Sequence, residues 1–125
     1  MDHETLVRRY IAAYNTFDLD GMLAVLSPTV QFENYSGTQR TAAAQGAQEF
    51  RALAEQSSML FSEREQKVVG MRLTGDRAIV DIQFRARLAA DMPNGIKAGT
   101  EMRLDGVTEF VFGAGKIVRI VDRSS

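Results

Sequence analysis

Residues 77–89, RAIVDIQFRARLA, decide the fold class. Ala78, Val80, Ile82, Phe84, Ala86 and Leu88 form an unbroken apolar row, with Asp81, Gln83, Arg85 and Arg87 opposite. A period of two puts such rows on the two faces of a β-strand, one toward a core and one away from it. The run 98–112 repeats the pattern: Met102, Leu104, Thr108, Phe110 and Phe112 share a face, and Glu101, Arg103, Asp105 and Glu109 share the other. Strands are predicted over 61–73, 77–89, 98–112 and 116–122, joined at TGD, MPNG and GAG.

Upstream the period changes. From Glu4 to Phe17, Leu6, Val7, Tyr10, Ile11, Ala13, Tyr14 and Phe17 recur at three and four, the spacing of an amphipathic helix. DLDGMLAVLS, 18–27, supplies Asp18 or Asp20 as an N-cap and a short second helix that Pro28 stops. The alanine-rich run 41–56 predicts a third helix, with Ala43, Ala47, Phe50, Leu53 and Ala54 on one side. Helices followed by a long, mostly antiparallel sheet with one apolar face make an α+β architecture in one domain, 1–125.

Between the second and third helices, TVQFENYSG, 29–37, reads as a strand whose apolar row, Val30 and Phe32, continues into Asn34. Thr108 interrupts the apolar row of its own strand in the same way. A polar group in such a row needs a partner, because burying it without hydrogen bonds costs about 1–3 kcal/mol. Protein, water and ligand are all open as that partner.

The 125-residue chain is 45% hydrophobic, and its fifteen basic and sixteen acidic side chains leave a net charge of -1. That balance gives no electrostatic footprint for nucleic acid or an anionic membrane surface. No apolar run approaches the ~18 residues of a membrane span, and the N-terminus opens on charge, so a soluble, untargeted chain is expected. The absence of cysteine removes disulfides, thiolate nucleophiles and cysteine metal sites, in keeping with a cytoplasmic location. The lone His3 reads as a surface residue in a frayed terminus, and neither a metal nor a cofactor is expected. Twelve arginines against three lysines, several of them on the charged row of the sheet, suggest that this outer face pairs two copies of the chain.

The stretch RRYIAAYNTFDLDGMLAVLSPTVQFEN, 8–34, together with VTEFVFGAGKIVRI, 107–120, resembles the nuclear transport factor 2-like superfamily. Within it the nearest likenesses are the steroid Δ5-3-ketoisomerases and the SnoaL-like polyketide cyclases. The resemblance implies a strongly bent sheet folded around three N-terminal helices, a cystatin-like cone enclosing a cavity, in a homodimer. It places Tyr10 on the tyrosine that donates to the substrate carbonyl oxygen. Asn34 falls on the isomerase's general-base aspartate, and Thr108 on its protonated aspartic acid.

The isomerase mechanism therefore lacks both its carboxyls here, because an amide has no proton-accepting form near neutral pH. Glu33 is the nearest replacement carboxylate, but alternation points it away from Asn34. A missed base such as Glu33 or Asp122 would reveal itself as a carboxylate limb in a pH profile. The resemblance implies a ligand that is small, mostly apolar or aromatic and cyclic, with a carbonyl or phenol oxygen held by Tyr10, Asn34 and Thr108. Tyr14, one helical turn from Tyr10, shares its face. Phe32, Phe50, Leu53 and Met59 are expected in the apolar wall, and so are Phe61, Phe84, Leu104 and Phe110. The same features suit an enzyme of isomerase or lyase type and, alternatively, a non-catalytic ligand-binding or dimerisation module.

Overall fold

A computed structural model describes residues 1–124. The element order is α1 (His3–Asn15), α2 (Leu19–Ala24), β1 (Leu26–Ser36), β2 (Gln39–Gln45), α3 (Gly46–Ser58), β3 (Phe61–Thr74), β4 (Arg77–Leu88), β5 (Glu101–Gly113) and β6 (Lys116–Ser124). The six strands form one sheet in the order β2-β1-β6-β5-β4-β3. All neighbours pair antiparallel except β1 and β6, which run parallel. Register shifts in β1, β3 and β5 bend the sheet, as an extra residue in one strand of a pair does. The helices cover its concave face, giving the α+β cone.

The apolar rows meet as the alternation predicts. Val80 and Ala78 on β4, Phe110 on β5 and Ile120 on β6 are buried against Leu6, Val7 and Tyr10 of α1. Each large side chain buried in this way contributes about 1.5–3 kcal/mol. The Tyr10 ring meets Phe110 edge-on at 5.7 Å. At the other end of the sheet Phe50 of α3 meets Phe32 of β1, again edge-on at 5.7 Å.

The main departure from the sequence reading lies at 39–45. The third helix was expected from Thr41, but Gln39–Gln45 is an edge strand and the helix starts at Gly46. Gly37, at φ +60°, turns the chain back beside β1, and six of the seven β2 residues pair in that ladder, which outweighs alanine's helix preference of a few tenths of a kcal/mol per residue. Gly46, at φ +85°, then reverses direction into α3. Ala43 consequently sits exposed on the edge strand and Ala44 points into the core.

Smaller differences have local causes. Helix α1 ends at Asn15 rather than Phe17, which takes a left-handed conformation (φ 57°) while the Asp18 N–H closes onto the Ala13 carbonyl at 2.8 Å. Asp18, not Asp20, is the N-cap of α2, accepting from the Gly21 N–H at 2.9 Å. Pro28 lies within β1, in the gap of the β1–β6 ladder between Leu26 and Gln31, where its missing N–H is not needed. His3 is not frayed: it opens α1 and stacks on Phe112 with ring centroids 4.1 Å apart.

Candidate functional site

Between α1, α3 and the concave face of the sheet lies a cavity of about 390 Å³, within the usual range for a small-molecule site. Tyr10 and Tyr14 of α1 form one wall, Phe50 and Leu53 of α3 another, and Phe32, Phe61, Phe84 and Leu104 line it from the sheet. Asn34 and Thr108 also face it. Two residues expected in the wall are elsewhere. Met59 is 72% exposed: it lies nine positions beyond Phe50, two and a half turns at 3.6 residues per turn, so it points away from the cavity. Phe110 is 1% exposed and sits behind Tyr10 as solid core, one inward position deeper in β5 than Thr108.

Strand register assembles the polar part of the site. Asp122 on β6 is the Cα partner of Thr108 on β5 and of Asn34 on β1, so three polar side chains form one row across the concave face. The Thr108 hydroxyl donates to Asp122 Oδ1 at 2.7 Å. Asn34 Nδ2 donates to Thr41 Oγ1 at 2.7 Å, which ties the amide to the edge strand. Glu33 faces the other way, accepting from the Tyr35 hydroxyl at 2.8 Å and from Arg119 at 2.9 Å. Those bonds hold its carboxyl below the usual range. It is no part of the cavity.

Burial pushes the Asp122 carboxyl up to about 6, against the opposing effect of the Thr108 hydrogen bond. Asp122 lines the cavity and keeps part of its surface open. Burial also raises Tyr14 to about 12, opposed by the Arg64 guanidinium and reinforced by Asp122. Tyr10 rises well above its ordinary range, chiefly through burial and then through Asp122. Both phenols are neutral donors at physiological pH. The cavity thus combines neutral donors with Asp122, a carboxyl that can both lose and regain a proton near neutrality.

Arg64 also lines the cavity, as do Asp105 and Arg123 nearer its β5–β6 side. Arg64 is 7% exposed, donates Nε–H to the Tyr14 carbonyl at 2.8 Å, and lies 3.8 Å over the Tyr14 ring and 4.3 Å over that of Phe17. Asn15 exchanges two hydrogen bonds with the backbone of Gln66, at 2.7 and 3.1 Å, and so fixes α1 on β3 beside Arg64. Arg64 was not among the residues expected at the site. Its signal was the period-two row Arg64, Gln66, Val68, which a register shift between Phe61 and Glu63 puts out of phase with the apolar Phe61. Asp122, named only as one possible base, continues the inward row from Ile120 and was open to the same alternation that singled out Asn34.

Among the described residues no cluster of three or more histidine, aspartate or glutamate side chains could hold a metal ion. No helix is long and apolar enough to cross a membrane.

The SnoaL-like domain family matches residues 7–120 of the chain. No curated protein matches it. Among solved structures, a candidate polyketide cyclase from Xanthomonas campestris is 20% identical, with 98% of this chain and 89% of that one covered and a TM-score of 0.83. A candidate polyketide cyclase from Pseudomonas putida is 24% identical over 94% and 86% of the two chains, with a TM-score of 0.73. TerC, co-crystallised with polyporic acid, is 17% identical over 97% and 89%, with a TM-score of 0.77. At these identities the likeness is one of fold.

Proposed function

Because the chain belongs to the SnoaL-like domain family, we propose that its cavity binds a small, mostly apolar cyclic molecule bearing a carbonyl or phenol oxygen, and that Asp122 moves a proton on that molecule. The observation that carries the reading is Asp122 itself: one carboxyl, held by Thr108 at 2.7 Å, facing an aromatic-lined cavity with its pKa near 6. A base is most effective when its pKa lies near the working pH, and such a group is worth on the order of 10²- to 10⁴-fold in rate. The binding half of the reading is in keeping with TerC, which was crystallised with polyporic acid.

In this mechanism the Tyr10 hydroxyl donates to the ligand's carbonyl oxygen. Ionised Asp122 takes a proton from the adjacent carbon, the C–H electron pair moves toward the oxygen as an enolate, and Tyr10 stabilises the charge that develops there. Protonated Asp122 then returns the proton. Thr108 keeps one carboxylate oxygen fixed, and Oδ2, with no hydrogen bond among the described residues, does the transfer. Asn34 contributes a neutral polar surface beside the acid.

The test needs no foreknowledge of the substrate. Thermal unfolding with steroids, phenols, cyclic enones and lactones identifies binders, since a ligand at a hundredfold over its dissociation constant adds about 2.7 kcal/mol. Bound cyclic ketones are then followed by NMR for exchange of the α-proton with deuterium. Exchange that disappears in Asp122→Asn while binding persists supports the reading. A ketone that binds without exchanging in the parent protein overturns the catalytic half.

The outer sheet face is the proposed contact between two copies of the chain. Arg85 and Arg87 sit in cross-strand ion pairs with Glu65, Glu63 and Glu101 at 3.5–3.8 Å, so the face presents charges of both signs. Sedimentation velocity showing a concentration-independent monomer sinks this.

A further inference from the structure

We propose that Arg64 is the docking point for a carboxylate carried by the ligand, so that the cavity selects an aromatic or polycyclic acid and not a neutral ring system. The inference rests on the cavity reading above and adds to it the charge of the molecule bound.

A buried arginine is costly unless its charge is met, and proteins ordinarily meet it with a carboxylate. Even exposed arginines of the chain find carboxylates: Arg77 pairs with Glu109 and Arg119 with Glu33, both at 2.9 Å. Arg64 is more deeply buried than either and has no carboxylate partner among the described residues. Its one hydrogen bond uses Nε, and the two aromatic rings take its faces. Beyond Nε the guanidinium meets only the neutral Tyr14 phenol, and none of its nitrogens is a sealed, unpartnered atom. Arg64 lines the cavity, and no carboxylate among the described residues balances its charge there. A guanidinium with Nε anchored presents the planar edge that a carboxylate accepts.

Position gives the second observation. Arg64 is on β3 and Asp122 on β6, three strand spacings apart in the order β6-β5-β4-β3, and their ladder partners on β5, Met102 and Thr108, lie six residues apart along that strand. The phenols of Tyr10 and Tyr14 lie between them and feel both charges. An extended ring system can place its reacting oxygen at the Tyr10–Asp122 end and turn its carboxylate toward Arg64. At that separation the ligand's carboxylate does not repel ionised Asp122 as an adjacent carboxylate would. Desolvation lowers the Arg64 pKa but leaves it a cation at any physiological pH. The competing role, a staple that only ties the end of α1 to β3, accounts for Nε and the stacked rings and leaves the charge at the cavity unmet.

The probes are a hydroxynaphthoic acid with hydroxyl and carboxyl at opposite ends, its methyl ester, and the parent naphthol, titrated calorimetrically at pH 8. The acid is expected to bind at least about tenfold more tightly than the ester, the size of a charge-assisted hydrogen bond. Arg64→Gln should bring acid and ester to parity, and Arg64→Lys, which keeps the charge and loses the fork, should retain part of the preference. Equal binding of acid and ester by the parent protein overturns the carboxylate site and leaves the cavity reading standing. So does a preference for the acid that survives unchanged in both variants. Binding of none of the three probes removes the cavity reading and this inference together. If Arg64→Gln does not fold, the parent's acid-to-ester ratio and Arg64→Lys decide the matter.

Discussion

Thr108 and Asp122 face each other across the β5–β6 ladder, and the threonine hydroxyl donates to the carboxylate at 2.7 Å. This bond opposes the upward push of burial on Asp122. Thr108→Val keeps the shape and removes the donor, so the Asp122 pKa should climb above 6, and the acidic limb of any proton-transfer activity should move up with it. The folded protein should lose about 1 kcal/mol when Asp122 is ionised. An NMR titration of the Asp122 carboxyl carbon in parent and variant checks the direction. An unchanged titration would mean that the hydroxyl rotates away in solution.

The raised pKa also fixes a stability trend. Asp122 binds its proton more tightly folded than unfolded, so its contribution is most favourable below pH ~4 and is lost as pH rises through about 6. A shift from an ordinary aspartate to about 6 corresponds to roughly 3 kcal/mol of destabilisation above pH 7. Asp122→Asn keeps an acceptor for Thr108 and removes the charge. It should therefore be more stable than the parent at pH 8 and nearly equal to it at pH 4. Urea unfolding at the two pH values checks this, and equal differences at both would show that the carboxyl is solvated.

Tyr10→Phe removes one hydroxyl from the cavity and leaves the ring against Phe110 and Phe50. Affinity for a carbonyl or phenol ligand should fall by up to about tenfold, one net hydrogen bond, with the melting temperature nearly unchanged. Calorimetric titration and thermal unfolding, run on the same preparation, separate the two effects.

The two residues that left the predicted wall give opposite expectations. Phe110→Ala opens a void in packed core and should cost about 3–5 kcal/mol, with any loss of binding following from loss of fold. Met59→Gln, at a position 72% exposed, should stay within about 0.5 kcal/mol of the parent and leave ligand affinity untouched. Chemical denaturation paired with a binding titration distinguishes these from true cavity substitutions such as Leu53→Ala.

How legible the molecule was in its sequence follows from the same period-two logic. The row Ala78 to Leu88 specified a one-faced strand because every second side chain is apolar without interruption. Asn34 and Thr108 stand out as polar breaks in such rows; Asp122, which continues the inward row from Ile120, was open to the same rule but entered only as one possible base. Arg64 was hidden because the bulge at Phe61–Glu63 changes which positions face inward, and a bulge has no clear mark in a charged sequence. Ala42 to Ala44 misled for another reason. Alanine carries little preference of its own that tertiary pairing cannot override, and the deciding residues were the glycines at 37 and 46 on either side.

Asn34 is the partner of Asp122 on the parallel β1–β6 ladder, which makes Asn34→Asp a probe of the whole polar row. Two carboxyls side by side in a buried site cannot both ionise cheaply, so the pair should titrate in two steps, one of them above the single value near 6. The Thr41 hydroxyl, which now accepts from the amide at 2.7 Å, can turn and donate to the new carboxylate. That bond favours ionisation at position 34 and leaves the higher step to Asp122. If Asp122 is the working base, the pH at which deuterium exchange reaches half its maximum should therefore move upward in the variant. A pH profile that does not move, with both carboxyl carbons seen to titrate by NMR, would place the base elsewhere in the cavity.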